Sequence, residues 1–120
     1  MFLPISLDDL STIKLAAEKF KGAESRLDVL FNNAGVSNPP KGSVGAQGQE
    51  LQLATNCLGP YLFTQLLLPV LTSTAKSTDS GAVRVIWTSS IAIDFLPLKS
   101  HGPPRTDHPV PRPTKELHNF

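Results

Sequence analysis

Cysteine occurs once in 120 residues, as do methionine, tryptophan and tyrosine. With Cys57 alone an internal disulfide is excluded, and together with three scattered histidines it offers no spacing for a structural zinc site. Long hydrophobic runs are also lacking. The leucine-rich run near Leu66 is too short and too polar to span a bilayer, and the apolar start at Met1 meets Asp8 and Asp9 with no basic residue before it. The expected compartment is therefore the cytoplasm. Charge of one sign is missing as well: eleven basic residues stand against ten acidic ones, without a basic cluster, so no electrostatic footprint for nucleic acid or an anionic membrane exists. What is present is 40% hydrophobic residues, enough for the modest core of one soluble domain or part of one.

The stretch Leu27-Asp28-Val29-Leu30-Phe31-Asn32-Asn33-Ala34-Gly35 organises the chain. A short apolar run that breaks into Asn-Asn-Ala-Gly reads as a buried strand delivering polar groups to a crevice. Its apolar residues do not alternate with polar ones, which predicts a parallel strand covered by helices on both faces. Asn32 and Asn33 can bond neighbouring backbone, while Ala34 and Gly35 leave room for a chain or ligand to approach. An ordinary strand-ending turn has the same composition.

Before that stretch, Phe2 to Ile5 reads as the end of a strand, and Asp8 or Asp9 supplies the N-cap of a helix over about 9–22. Leu10, Ile13, Ala17 and Phe20 give that helix its apolar face, and Gly22 a C-cap. Val36 to Gly48, with Pro39, Pro40 and several glycines, is loop chemistry. A longer helix is expected from Gln49 to Leu71, with Leu51, Ala54, Leu58, Leu62, Leu66 and Val70 as its stripe. Inside it Gly59-Pro60 removes a backbone donor, so either the helix bends or a neighbour packs against the glycine. Thr72 to Gly81 reads as an exposed connection, and Val83 to Thr88 as a strand with Arg84 near a sheet end. Strand, helix, strand is a βαβ unit with parallel strands and a right-handed crossover. Six of eleven prolines fall between Pro97 and Pro113, so residues 97–120 form an expected extended or disordered tail and residues 1–96 the domain.

Three positions carry the chemistry the sequence can suggest: Asn33 after the first strand, Asn56 inside the long helix, and Ser89-Ser90 after the second strand. Ligands of open α/β sheets bind outside the carboxyl ends of the strands, where Asn33 and Ser90 belong. Asparagine is a poor residue for a helix interior, so Asn56 calls for a reason such as a backbone or water contact. Singly, each also fits a plain structural role: Asn56 facing solvent, the serines capping a turn.

The ordered set Asn32-Asn33-Ala34-Gly35, Thr55-Asn56-Cys57-Leu58-Gly59 and Val83 through Ser90 resembles the middle of a short-chain dehydrogenase/reductase, from about Leu3 to Ala92. Leu10-Ser11-Thr12-Ile13-Lys14 and Glu50 through Asn56 resemble its retinol-dehydrogenase-like branch most. The resemblance implies a partial Rossmann-like, doubly wound parallel α/β sheet, and a nicotinamide-dependent oxidoreductase of a carbonyl or alcohol substrate. It implies that Asn33, Ala34 and Gly35 line the NAD or NADP cleft, that Asn56 anchors a proton-relay water, and that Ser90 hydrogen-bonds the reacting oxygen.

Where the family's Tyr-x-x-x-Lys is sought, the only tyrosine is Tyr61, and four residues on stands Gln65. The glycine-rich phosphate turn is not among these 120 residues either. By the same resemblance, the strand near Phe2 and the strand at Leu27 are the third and fourth of the order 3-2-1-4-5-6, and not neighbours. The edge of the Leu27 strand would be open, a hazard for aggregation. Family members usually carry an aspartate beside the adenine where this chain has Ser6, with Asp8 two residues on. The chain alone is thus expected to be inactive and to bind neither NAD nor NADP measurably. The competing expectation is a non-catalytic interaction protein, pairing with a complete relative, or with itself, through helix 49–71.

Overall fold

The computed structural model describes residues 1–90. Its elements are α1 (Leu10–Ala23), β1 (Val29–Asn32), α2 (Leu51–Leu53), a π turn (Ala54–Leu58), α3 (Gly59–Lys76) and β2 (Arg84–Trp87). The expected boundary after residue 96 and the proline-rich stretch 97–120 lie outside the described residues.

β1 and β2 pair in parallel, with Val29 opposite Arg84, Leu30 opposite Val85, Phe31 opposite Ile86 and Asn32 opposite Trp87. Two parallel strands joined through a helix are the α/β arrangement that the sequence pattern implies. Arg84 stands at the sheet end as expected, its N–H donating to Asp28 O at 2.8 Å. One face of the pair carries the core: Leu30 packs with Ala17, Leu67 and Leu71, flanked by Phe20, Leu27, Phe63, Leu66, Val83 and Val85.

The other face corrects an expectation. Phe31 is 64% exposed and Val29 38%, so β1 is covered on one side and not on both. An unbroken apolar run was the basis for two-sided burial, but α1 and α3, the helices that supply the core, both send their side chains to the Leu30 face. Residues 2–5 form no strand either, and Phe2 is exposed. Pro4 has no N–H for a ladder, and among the described residues no strand is placed to receive one.

α1 begins as predicted. Asp9, in extended conformation, accepts from the Ser11 N–H at 3.0 Å and the Ser11 hydroxyl at 2.7 Å, and Ile13, Ala16 and Ala17 are buried. It does not end at Gly22. The Glu24 N–H closes the last turn on Phe20 O at 2.8 Å in an extended conformation, so no left-handed glycine is needed.

The long helical run departs further from expectation, and for one reason. Glu50 caps α2 with both carboxylate oxygens, accepting from the N–H groups of Gln52 and Leu53. The helix then widens into a π turn, in which the Gly59 N–H reaches back to Ala54 O. Pro60 has no N–H to give the Asn56 carbonyl an α-helical partner, and the wider turn sits where that bond is lost. An extra residue per turn rotates everything after it by about 100° relative to a straight helix. The buried stripe of α3 is therefore Pro60, Thr64, Leu67, Leu71 and Thr74, while the expected Leu58, Leu62, Leu66 and Val70 are half-buried beside it.

Both alternatives left open at Gly59 hold together, since the helix deforms there and the glycine also meets a neighbour. A Cβ on Gly59 would stand 2.2 Å from Leu7 O. α3 also runs past Leu71 to Lys76, into the stretch expected to be a connection. The Ser/Thr residues that suggested a loop serve the helix end instead: Ser77 and Thr78 hydroxyls donate to Thr74 O, and the Leu27 N–H donates to Thr74 Oγ1 at 3.0 Å.

Candidate functional site

β1 delivers Asn32 and Asn33 to its carboxyl end, and each side chain is spent on a different neighbour. Asn32 Nδ2 donates to Thr64 Oγ1 of α3 at 3.0 Å, while Asn33 Oδ1 accepts from Thr88 Oγ1 at 3.0 Å, tying the ends of the two strands. After them the chain turns through Ala34 and Gly35 against the π turn. A Cβ on Gly35 would lie 2.9 Å from Asn56 Oδ1, so the turn is as close to Asn56 as a residue without a side chain allows.

Asn56 itself makes two bonds to one residue. Val36 N–H donates to Asn56 Oδ1 at 2.8 Å, and Asn56 Nδ2 donates to Val36 O at 2.9 Å. The amide thus pairs with the backbone as another strand would, which is the backbone contact anticipated for an asparagine within a helix. Asn33, Ala34, Gly35 and Asn56 are brought into one neighbourhood. Ser90 follows Trp87, the last residue of β2, through Thr88 and Ser89.

Two hollows flank the turn. The larger, about 370 Å³, is lined by Ile5 to Asp8 on one side, by Ala34, Gly35 and Val36 on another, and by Leu51 and Thr55. The smaller, about 140 Å³, lies along Leu30 to Ala34 against Leu7, Pro60 and Phe63. Ala34 borders both.

Residues 5–8, which wall the larger cleft, and Asp9 after them are fixed by Thr12, Ala46 and Gln47. Ser6 N–H donates to Thr12 Oγ1 at 3.0 Å, Ala46 N–H donates to Asp8 O at 2.9 Å, and Gln47 bridges the α1 start, accepting from Leu10 N–H and donating to Asp9 Oδ1. Hydrogen bonds from Gln47, then from Ser11, hold the Asp9 carboxyl below its ordinary pKa. A carboxyl lowered in the folded state stabilises it above the unfolded pKa, and that contribution fades as pH falls through the folded value. Gln47 lies in a glycine-flanked loop with no periodicity, and its partners are nearly forty positions away, beyond local pattern.

Thr55, the first residue of the Thr55-Asn56-Cys57-Leu58-Gly59 set, has a feature that no sequence pattern indicates. It is 9% exposed, and its Oγ1 is buried without a hydrogen-bond partner among the described residues. An unpaired buried hydroxyl costs about 1–3 kcal/mol, and valine has nearly the same shape. The Thr55→Val variant is therefore expected to be more stable, by about 1 kcal/mol, in urea unfolding. A loss of stability would show that the hydroxyl has a partner in solution.

No group of three or more His, Cys, Asp or Glu among the described residues could hold a metal ion, and Cys57 is exposed. No helix among the described residues is long and apolar enough to cross a membrane.

Comparison with known proteins gives consistent relatives. The chain is 55% identical, over 95 residues, to the short-chain dehydrogenase/reductase pkfC of Emericella nidulans, covering 79% of this chain and 30% of that protein. It is equally 55% identical to a short-chain dehydrogenase/reductase of Phomopsis amygdali, over 79% of this chain and 28% of the relative. An oxidoreductase of Schizosaccharomyces pombe is 46% identical over 76% of this chain and 26% of its own length. The chain thus spans under a third of the length of these relatives. No family model matches it, and no solved structure does.

Proposed function

We propose, on the premise that this chain is a segment of a short-chain dehydrogenase/reductase, that it forms part of the cofactor cleft and proton-handling wall of a nicotinamide-dependent oxidoreductase acting on a carbonyl or alcohol. The observation that carries the reading is the paired contact of Asn56 with Val36, which presses the side-chain-free Gly35 turn against the helix beside a cleft of about 370 Å³. That cleft fits a flat cofactor group: aliphatic walls at Ile5, Leu7, Val36 and Leu51, and a small-residue turn that lets it come close.

In this reading Asn33, Ala34 and Gly35 line NAD or NADP, and the nicotinamide, when bound, supplies or takes the hydride. Asn56 holds the turn and anchors a proton-relay water. Ser90 donates its hydroxyl to the substrate oxygen and polarises it, so charge developing there is met by a placed donor. The 120 residues contain neither a Tyr-x-x-x-Lys nor a glycine-rich phosphate turn. On their own they are expected to show no turnover of aldehydes or ketones with NADH or NADPH, and no saturable binding at micromolar cofactor. Several charge-assisted hydrogen bonds, at about 1.5–3 kcal/mol each, are not available to them.

The test of the site is a chimera in which this segment replaces its counterpart in the Emericella nidulans relative. Cofactor-dependent turnover that survives in the chimera and is lost in its Ser90→Ala form is the expected result. Turnover indifferent to Ser90→Ala would remove Ser90 from the reaction.

One observation favours a second reading, pairing with a relative through the helical run. Tyr61 is 60% exposed and Leu68 39%, two turns apart on the outward side of α3. Co-purification with a full-length relative, lost on Tyr61→Lys, would support it; failure to associate would exclude it.

A further inference from the structure

We propose that Thr88 is a positioning residue for the reaction, its hydroxyl holding the strand end that leads to Ser90 in register with the turn that lines the cofactor. The inference rests on the oxidoreductase reading above and gives a role to a residue that the family resemblance leaves without one. The paired residues of β1 and β2 end with Asn32 opposite Trp87. One backbone rung lies beyond them, from Thr88 N–H to Asn32 O at 3.1 Å. A side chain then supplies the next link, Thr88 Oγ1 donating to Asn33 Oδ1 at 3.0 Å. Thr88 thus grips two successive residues where the chain leaves β1, one with its backbone and one with its hydroxyl. On one side of that grip the chain proceeds to Ala34 and Gly35 at the larger cleft, and on the other, two residues on, to Ser90.

The end of β1 is itself anchored from below. Asn32 Nδ2 donates to Thr64 Oγ1 at 3.0 Å, and Thr64 is buried in α3. The bond to Thr88 therefore passes on the placement of a fixed strand end to β2. Thr88 and Asn33 are both exposed, so water takes over each group when the bond is lost, and valine has the same branching and strand preference as threonine. Loss of the bond accordingly leaves the strand formed and falls on placement instead of stability. A hydroxyl that meets charge developing on a substrate oxygen acts through distance and direction, and a displacement of about 1 Å costs up to about a hundredfold in rate. The contacts of the cofactor with the turn involve no group of Thr88, so its removal should act on the chemical step and not on cofactor affinity.

The experiment has two arms. In the full 120-residue chain, amide hydrogen exchange at residue 88, corrected for the intrinsic rate, is expected to quicken by about three- to tenfold in Thr88→Val, the value of one exposed hydrogen bond, and to return to the wild-type rate in Thr88→Ser. In the chimera with the Emericella nidulans relative, Thr88→Val is expected to lower kcat by about tenfold while KM for the cofactor stays within about twofold, and Thr88→Ser should restore kcat. In a chimera that already carries Asn33→Ala, Thr88→Val should have no further effect, because the hydroxyl has lost its acceptor. An unchanged kcat in Thr88→Val, or a loss that serine does not restore, overturns the inference and leaves the reading of the site standing, since turnover still depends on Ser90. Unchanged exchange at residue 88 in Thr88→Val overturns it as well. A chimera without Ser90-dependent turnover overturns both.

Discussion

Gly59→Ala is expected to destabilise the fold by about 1–3 kcal/mol, the range for forcing atoms into packed space. The added Cβ would stand 2.2 Å from Leu7 O, 2.9 Å from Leu7 C and 3.0 Å from Leu7 Cβ. Two of those three atoms are backbone, and that backbone is held on either side, at Ser6 by Thr12 and at Asp8 by Ala46, so it cannot swing aside as a long side chain would. Alanine's better helix propensity returns only about 1 kcal/mol. Gly22→Ala provides the control, because it too is inside a helix but a Cβ there meets nothing within 4 Å. It should gain up to about 1 kcal/mol from propensity alone. Urea midpoints at unchanged m-value measure both. If the two substitutions move the midpoint in the same direction, the contact between Leu7 and the π turn is not present in solution.

How much of the fold is legible in the sequence depends on the range over which each physical demand acts. Local patterns were read correctly where one physical demand acts on consecutive residues. The α1 cap at Asp9 and the loop after Val36 follow from neighbours in sequence, and the parallel pairing of β1 with β2 from the strand–helix–strand order. The errors share a different cause. The stripe of the long helix was placed on the assumption of 3.6 residues per turn throughout, and the π turn at Ala54–Leu58 breaks that count. Pro60 was the visible signal, but proline says that a bond is lost, not how the helix absorbs the loss. Burial of β1 on both faces was inferred from its apolar residues, yet which faces are covered depends on where distant helices land.

The site divides in the same way. Asn56 stood out because asparagine is unusual within a helix, whereas Asn33, Ala34 and Gly35 have the composition of an ordinary strand-ending turn and were joined to it by the family resemblance. The contacts of Gln47 and the buried hydroxyl of Thr55 were not legible, because a glutamine in a loop and a threonine in a helix are ordinary. Their significance lies in partners or in the lack of them: Asp9 and Leu10 on Gln47, and no partner for Thr55 Oγ1 among the described residues.

Asn56→Ala should release the turn that follows β1. Two hydrogen bonds to Val36 are lost, at 2.8 and 2.9 Å, and both are open to solvent, so the stability cost lies near the low end for neutral pairs, about 1–2 kcal/mol in sum. The local effect is larger than the global one, because among the described residues no other hydrogen bond ties the Val36 backbone to the helix. Hydrogen exchange at Val36 should quicken by far more than exchange in the core around Leu30 and Leu67. The Asn56→Asp variant separates the donor from the acceptor. An ionised carboxylate still accepts from the Val36 N–H but faces the Val36 carbonyl with no proton to give, whereas a protonated one restores both bonds. The folded protein then favours the protonated form, so the carboxyl's pKa is raised on folding. A raised pKa contributes stability that is fully present below the unfolded value, near 3.9, and is lost as pH rises through the folded one. Asn56→Asp should therefore lose stability relative to wild type as the pH rises from about 4 to 7, while Asn56→Ala shows no such trend. A flat difference between Asn56→Asp and wild type across that range would mean that Asn56 Nδ2 does not donate to Val36 O, and that the turn is held from one side only.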